Sequence, residues 1–134
     1  MLLSIILKMI FFYKKKYILD IQMSTTEFED YETMITYVKS NNLMIIKFYA
    51  DWCKPCKEIK PKYNELSNKY STVKFTKMNI EKLDDTELDI LNINKFPTFI
   101  MTKPDINDGK IEKIRYQGSD INELVHILDK YSTI

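Results

Sequence analysis

Apolar residues follow helical and strand-like spacings in turn from about residue 25 onward. One apolar helix face, at positions i, i+3, i+4 and i+7, is formed by Tyr31, Met34, Ile35 and Val38. The next segment, residues 43–50, is a nearly continuous apolar run, which is typical of a strand covered on both faces. The pattern therefore predicts a helix followed by a buried strand.

The same reasoning extends to the end of the chain. The further predicted elements are a helix over 53–70, a strand over 73–80, a helix over 84–91 capped by Asp84, strands over 98–102 and 110–116, and a helix over 121–128 capped by Ser119 or Asp120. Residues 104–109 carry Pro, Asp, Asn and Gly, so they predict a turn that makes the last two strands antiparallel. This order predicts an α/β fold with a central mixed sheet and helices on both faces.

The first 22 residues differ from the rest. Residues 1–13 are apolar apart from Ser4 and Lys8, and Lys14–Lys16 follow. Thirteen residues are too few to span a bilayer, which needs about 20, and the charge order is not that of a secretory signal. We therefore expect a dispensable extension over 1–22, a domain over 23–134 and a cytoplasmic, reducing location. The alternative is weak membrane contact through residues 1–16, with the lysines on the cytoplasmic side.

Composition and charge exclude several classes of protein. The 134 residues include 20 basic and 19 acidic ones, for a net charge of +1, so no broad positive field for nucleic acid is present. Two cysteines and one histidine cannot build a small disulfide framework or a four-ligand zinc site. No metal site and no nucleic-acid partner are expected.

The two cysteines form the sequence Cys53-Lys54-Pro55-Cys56, where a predicted strand leads into a helix. Unpaired N–H groups and the helix dipole at that position stabilise a thiolate on Cys53, which we expect to be exposed. Cys56 lies one turn later and can close a disulfide reversibly, and Pro55 suits the first helical turn. Cys53 is then the nucleophile and Cys56 the resolving thiol in disulfide exchange. The alternatives are structural thiols or half of a metal site.

Two longer segments resemble a known family. Residues 48–57, Phe-Tyr-Ala-Asp-Trp-Cys-Lys-Pro-Cys-Lys, followed by Pro61, resemble the active-site segment of thioredoxins, and Phe96-Pro97-Thr98 resembles their cis-proline loop. Residues 77–80, 107–110 and Gly118 also fall in family order. The resemblance covers roughly residues 25–134. It implies the thioredoxin fold and general disulfide reductase chemistry with no cofactor besides the Cys53–Cys56 disulfide.

The resemblance also implies roles for individual residues. Pro97, in the cis form, would face the cysteines and turn its neighbouring backbone toward an extended substrate. The residues implied in substrate binding are Trp52, Pro55, Phe96, Pro97 and Gly118. Core packing is the alternative for Trp52 and Phe96. The implied partners are proteins that carry disulfides, and a thioredoxin reductase or another dithiol as electron donor.

Two lysines depart from the family pattern. Lys54 stands where thioredoxins usually have glycine, and it should make the pair more oxidising by roughly 0–20 mV. Lys47 stands where the family commonly has a buried carboxylate beneath the second cysteine. It could favour the Cys56 thiolate as a cation, act as a neutral base if burial and Lys77 remove its proton, or extend to the surface with no effect. In the last case, the protein could instead be a thioredoxin-fold interaction module with weak redox activity. A further hypothesis is an oxidase or isomerase that acts after export.

Overall fold

A computed structural model of the chain describes residues 2–22, 25–40, 43–105 and 107–132. Its elements are α1 (Leu2–Gln22), β1 (Thr26–Glu27), α2 (Tyr31–Lys39), β2 (Met44–Tyr49), α3 (Lys54–Lys69), β3 (Lys74–Asn79), a 3-10 turn (Ile80–Lys82), α4 (Asp85–Leu91), β4 (Thr98–Pro104), β5 (Ile111–Gln117) and α5 (Ile121–Tyr131). The five strands form one sheet in the order β1-β3-β2-β4-β5. β1, β3 and β2 run parallel, whereas β4 and β5 are antiparallel to their neighbours, which confirms the predicted mixed sheet.

Helices cover both faces of this sheet. One core cluster joins side chains of α3 and α5, among them Tyr63, to alternate strand residues such as Ile45 and Phe99. The other joins α2 and the α4 region to Met44, Ile46 and Phe48 of β2. Because side chains alternate across a strand, Lys47 of β2 points to the Ile45 face, beneath α3.

The predicted helix starts are explained by capping side chains. Asp84 accepts a hydrogen bond from the Glu87 N–H at 2.8 Å while Glu87 bonds back to the Asp84 N–H, a complete capping box. At the last helix the cap is Asp120, whose carboxylate accepts the Asn122 N–H at 2.9 Å. The predicted domain start at Met23 lies outside the described residues.

β1 and α1 were not predicted from the sequence, and neither was the short 3-10 turn. β1 has only two residues, too few for a periodic signal, and it pairs with Thr76 and Lys77 of β3. The 21-residue α1 has an apolar first half whose large side chains are 46–75% exposed; these are Leu2, Leu3, Ile5, Ile6, Leu7, Met9, Ile10, Phe11, Phe12 and Tyr13. Within the described segments, no helix is both long and apolar enough to cross a bilayer.

Removing residues 1–22 should leave the midpoint of thermal unfolding and the dithiol chemistry nearly unchanged. The exposed side chains of residues 2–13 bury little surface, so their loss removes little stabilisation. The test compares the melting midpoint and the disulfide-reduction rate of the shortened and full-length chains. A fall of more than about 5 °C, on the order of 1 kcal/mol, would show that the extension stabilises the domain.

Candidate active site

Cys53 and Cys56 form a disulfide at the junction of β2 and α3. Cys53 is the N-cap of α3, Cys56 lies in its first turn, and their Cα atoms are 5.3 Å apart, within the range that a disulfide requires. The Cys56 N–H donates a hydrogen bond to the Cys53 sulfur at 3.3 Å. The predicted placement of the pair at a helix start is therefore confirmed, with Pro55 in the first turn.

The expected exposure of Cys53 is wrong. Cys53 is 5% exposed and Cys56 is 3% exposed, because both pack with Ala50 and with the half-buried Tyr49 and Phe96. The two sulfurs differ in where they lie on the helix. Of the two, it is the Cys53 sulfur that accepts an N–H of the first turn of α3. The same donor would stabilise a Cys53 thiolate after reduction.

An apolar rim adjoins the disulfide. The Phe96–Pro97 bond is cis, as the resemblance implies, and the Pro97 carbonyl accepts the Gly118 N–H at 3.1 Å. Trp52 is 65% exposed and its ring meets the half-buried Phe96 edge to face, with centroids 5.8 Å apart. Core packing is therefore the wrong interpretation of Trp52. The fold brings together four of the five residues implied in substrate binding, and Pro55 is exposed beside them.

Gly118 is required where it stands. Its φ is +142°, a backbone conformation that other residues rarely adopt. A Cβ there would lie 2.7 Å from the Tyr116 hydroxyl, which accepts the Asp120 N–H at 2.9 Å at the start of α5. Gly118 thus lets the backbone beside Pro97 pass close to Tyr116 without a steric clash.

Lys47 lies inside the protein, 3% exposed, so the interpretation that it extends to the surface is wrong. Its ammonium lies 4.8 Å from the ring centroid of Tyr63 and 5.4 Å from that of Tyr49. The Tyr63 hydroxyl donates to the Thr76 backbone carbonyl at 2.5 Å and lies 3.3 Å from the Ile45 carbonyl, so that ring is held firmly against the sheet. Two aromatic faces therefore offset part of the cost of burying this charge.

The pKa of Lys47 is lowered to about 8, first by burial and then by repulsion from Lys77 and Lys60. Lys77 is the residue paired with Lys47 across β2 and β3, which places the two ammonium groups on neighbouring strands. At pH 7 a group with a pKa of about 8 is protonated by roughly ten to one. Lys47 is therefore a cation at neutral pH.

Lys47 and Cys56 line the same cavity, of about 190 Å³. The other lining residues are Tyr49, Ala50, Asp51, Lys57, Lys60 and Lys77. Lys57 and Lys60 were not predicted as residues of the site, because lysines on a helix usually indicate a solvated face. The available signal was the i, i+4 spacing of Cys56 and Lys60, which places them on one helix face.

Lys54 is exposed next to Cys53, and its effect on the redox equilibrium stays a prediction. Within the described segments, no cluster of three or more His, Cys, Asp or Glu side chains could hold a metal ion.

The fold and site together define a class of protein: a dithiol–disulfide protein with the thioredoxin fold. Mitochondrial thioredoxin 3 from Saccharomyces cerevisiae, in its oxidised form, superposes with a TM-score of 0.69 at 25% identity, covering 82% of this chain and 98% of that one. Thioredoxin NaTrxh from Nicotiana alata gives a TM-score of 0.69 at 28% identity, covering 81% and 92%.

Sequence comparisons identify the family. The Thioredoxin family model matches residues 22–130. Thioredoxin Asp f 28 from Aspergillus fumigatus is 33% identical over 93 residues, or 69% of this chain and 82% of that protein. Thioredoxin 1 from Plasmodium falciparum is 32% identical over 96 residues, 71% and 86% of the two chains. The chain belongs to the thioredoxin family, whose members carry a redox-active disulfide and need no external cofactor, and its role is that of a thiol–disulfide oxidoreductase.

Proposed function

We propose that this protein reduces disulfides in other proteins by cycling Cys53 and Cys56 between dithiol and disulfide. The observation that carries the proposal is the position of the pair: a disulfide closed over the first turn of α3, with an apolar rim beside it. A helix start stabilises the attacking thiolate, and the two-residue separation of the cysteines within one helical turn lets the second thiol resolve the intermediate quickly.

The cycle begins with the reduced pair. The Cys53 thiolate attacks one sulfur of the substrate disulfide, and the other substrate sulfur leaves as a thiolate that takes up a proton. Cys56 loses its proton and attacks the Cys53 sulfur, which breaks the mixed disulfide and releases the second substrate thiol. Two electrons and two protons have then passed to the substrate. A thioredoxin reductase or another dithiol would return them to the Cys53–Cys56 disulfide.

The rim around Trp52 is the proposed docking surface for protein substrates. Trp52 presents 65% of its surface to solvent beside Phe96, so a partner gains by covering it. Because both cysteines are nearly buried, a substrate disulfide must come close to this rim before its sulfur reaches Cys53.

Replacing Trp52 with alanine should lower kcat/KM for a protein disulfide by about tenfold, mainly through KM, because a large apolar contact is lost. The assay follows reduction of an accessible protein disulfide by dithiothreitol. Ile90→Ala is the matched control, since Ile90 is 66% exposed on α4. Reduction of a small-molecule disulfide should be nearly unchanged in both variants.

An equal loss in the Trp52 and Ile90 variants would contradict the docking surface. If the unmodified protein gave no turnover above that of free dithiothreitol, the redox-weak interaction module would replace the reductase.

We also propose a reducing, cytoplasm-like location. If residues 1–16 contact a membrane, Lys14–Lys16, which follow the apolar run, would keep the domain on the cytoplasmic side. The measurement is alkylation trapping of the Cys53–Cys56 pair in intact cells. A predominantly reduced pair is expected, whereas a predominantly oxidised one would point to an oxidising compartment.

A further inference from the structure

Several lysine side chains surround the cavity beneath Cys56. The redox chemistry of the disulfide does not explain why they are gathered around this space. Four lysines line it, Lys47, Lys57, Lys60 and Lys77, against a single carboxylate, Asp51. We propose that this cavity binds a small oxyanion, of which inorganic phosphate is the test case.

The strongest argument is the ammonium of Lys47. An ammonium carries three donors, and a buried donor without an acceptor is costly. Lys47 is 3% exposed, and its ammonium lies over the ring faces of Tyr49 of β2 and Tyr63 of α3. Across the described part of the chain, this ammonium has no protein acceptor, and no fully buried side-chain nitrogen lacks a partner, so the Lys47 nitrogen reaches the solvent of the cavity. Its acceptors must therefore enter the cavity from solvent, as water or as an anion.

The surrounding charges favour an anion over water alone. Lys77 and Lys60 both repel the Lys47 ammonium, which is why its pKa is lowered in addition to the effect of burial. Asp51 receives a long hydrogen bond, 3.4 Å, from the Asn79 amide. Glu27, the acidic group that acts on Lys47, accepts the Tyr49 hydroxyl and lies 3.9 Å from Lys82. An anion among the lysines would reduce this mutual repulsion.

The shape of the cavity suits a small group. A volume of about 190 Å³ holds several water molecules or one tetrahedral oxyanion with part of its hydration. Lysines act as separate point charges, so they can approach different oxygens of such an ion. The lining also contains the buried Cys56 and Ala50, which limit the space to a compact ligand.

The test is a titration of the oxidised, full-length protein with phosphate at pH 7, followed by backbone amide NMR shifts. Chloride is exchanged for phosphate so that ionic strength stays constant. The oxidised form is used because it carries no thiolate that would compete for the lysines. We expect saturable shifts, with a millimolar Kd, concentrated at residues 47–51 and 56–60.

A matched pair of variants distinguishes a site from general charge attraction. Lys60 and Lys62 are both exposed lysines of α3, but only Lys60 lines the cavity. Lys60→Met should weaken phosphate binding by about threefold to fivefold, and Lys62→Met by less than twofold. Lys47→Met, which removes the buried donors, should weaken it by about tenfold or more.

Two results would overturn the proposal: shifts that rise linearly without saturation, or equal weakening by Lys60→Met and Lys62→Met. Both of these variants change exposed side chains, so the outcome does not depend on whether the Lys47 variant folds. Disulfide reduction by the unmodified protein is assayed in phosphate-free buffer, so a negative phosphate titration would overturn the anion site without affecting the proposed reductase function.

Discussion

Replacing Cys53 with serine should reduce protein-disulfide turnover to the rate of dithiothreitol alone, whereas Cys56→Ser should trap a mixed disulfide between Cys53 and the substrate. The reason is the position of Cys53 as the N-cap of α3, where its sulfur accepts the Cys56 N–H. A thiolate at that atom is stabilised by the helix start, and Cys56 serves to release the product. Turnover and the mass of the trapped adduct are the two measurements.

Because the two cysteines are almost equally buried, burial does not predict which of them attacks, and this experiment distinguishes the two possibilities. If exposure decided which cysteine attacks, values of 5% and 3% would allow either one to do so. A Cys53→Ser variant that kept half the activity, or that formed a stable adduct through Cys56, would therefore reverse the assignment. The double variant, with both cysteines changed to serine, is the control for adducts formed elsewhere.

Lys47 should control the acidity of the resolving thiol. In a Cys53→Ser background, Lys47→Leu should raise the pKa of Cys56 by about one unit, and Lys47→Asp by about one further unit, or roughly 1.4 kcal/mol per step. The cause is the loss of a cation that shares a cavity with Cys56, and then the arrival of an anion. Thiol titration by ultraviolet absorbance measures the change, with Lys62→Leu as the control. An unchanged titration in Lys47→Leu would make Lys47 a spectator.

The lowered pKa of Lys47 also predicts how stability depends on pH. Because the folded-state pKa is about 8 and the unfolded value is about 10.5, the unfolded chain binds more protons between these values. The free energy of unfolding should therefore rise with pH through that window, as far as Lys47 is concerned. Lys47→Leu should stabilise the oxidised protein at pH 7 by about 1–3 kcal/mol, less the lost contacts with aromatic rings, and the gain should shrink toward pH 10. Denaturant unfolding at pH 7 and pH 10 tests this; a gain that is equal at both values would contradict it.

The main elements were predictable because each carries a local signal. Residues 43–50 and 53–70 change from a continuous apolar run to helical spacing at the two cysteines, and Asp84 begins a helix by capping it. The structure confirms these elements and the cis-proline loop. β1 gave no such signal, because a two-residue strand exists only through its pairing with β3.

The features of the site that depend on residue type and position in a helix were predictable from the sequence. The features that depend on tertiary packing were less predictable. The N-cap position of Cys53 follows from the strand-to-helix transition, but its burial depends in part on Phe96, which approaches through the fold. The burial of Lys47 likewise depends on Tyr63, which lies 16 positions later on a helix that crosses over β2. Spacing along the chain does not report such contacts.

The apolar first half of α1 gives the full chain a response to temperature that the shortened chain would lack. Ten large apolar side chains there are exposed, and contiguous apolar surface of this kind associates in water. Hydrophobic association weakens on cooling, so copies of the full chain should separate in the cold and cluster on warming. Light scattering by a purified sample would then increase between about 5 °C and 25 °C, well below unfolding, and decrease again on return to the cold.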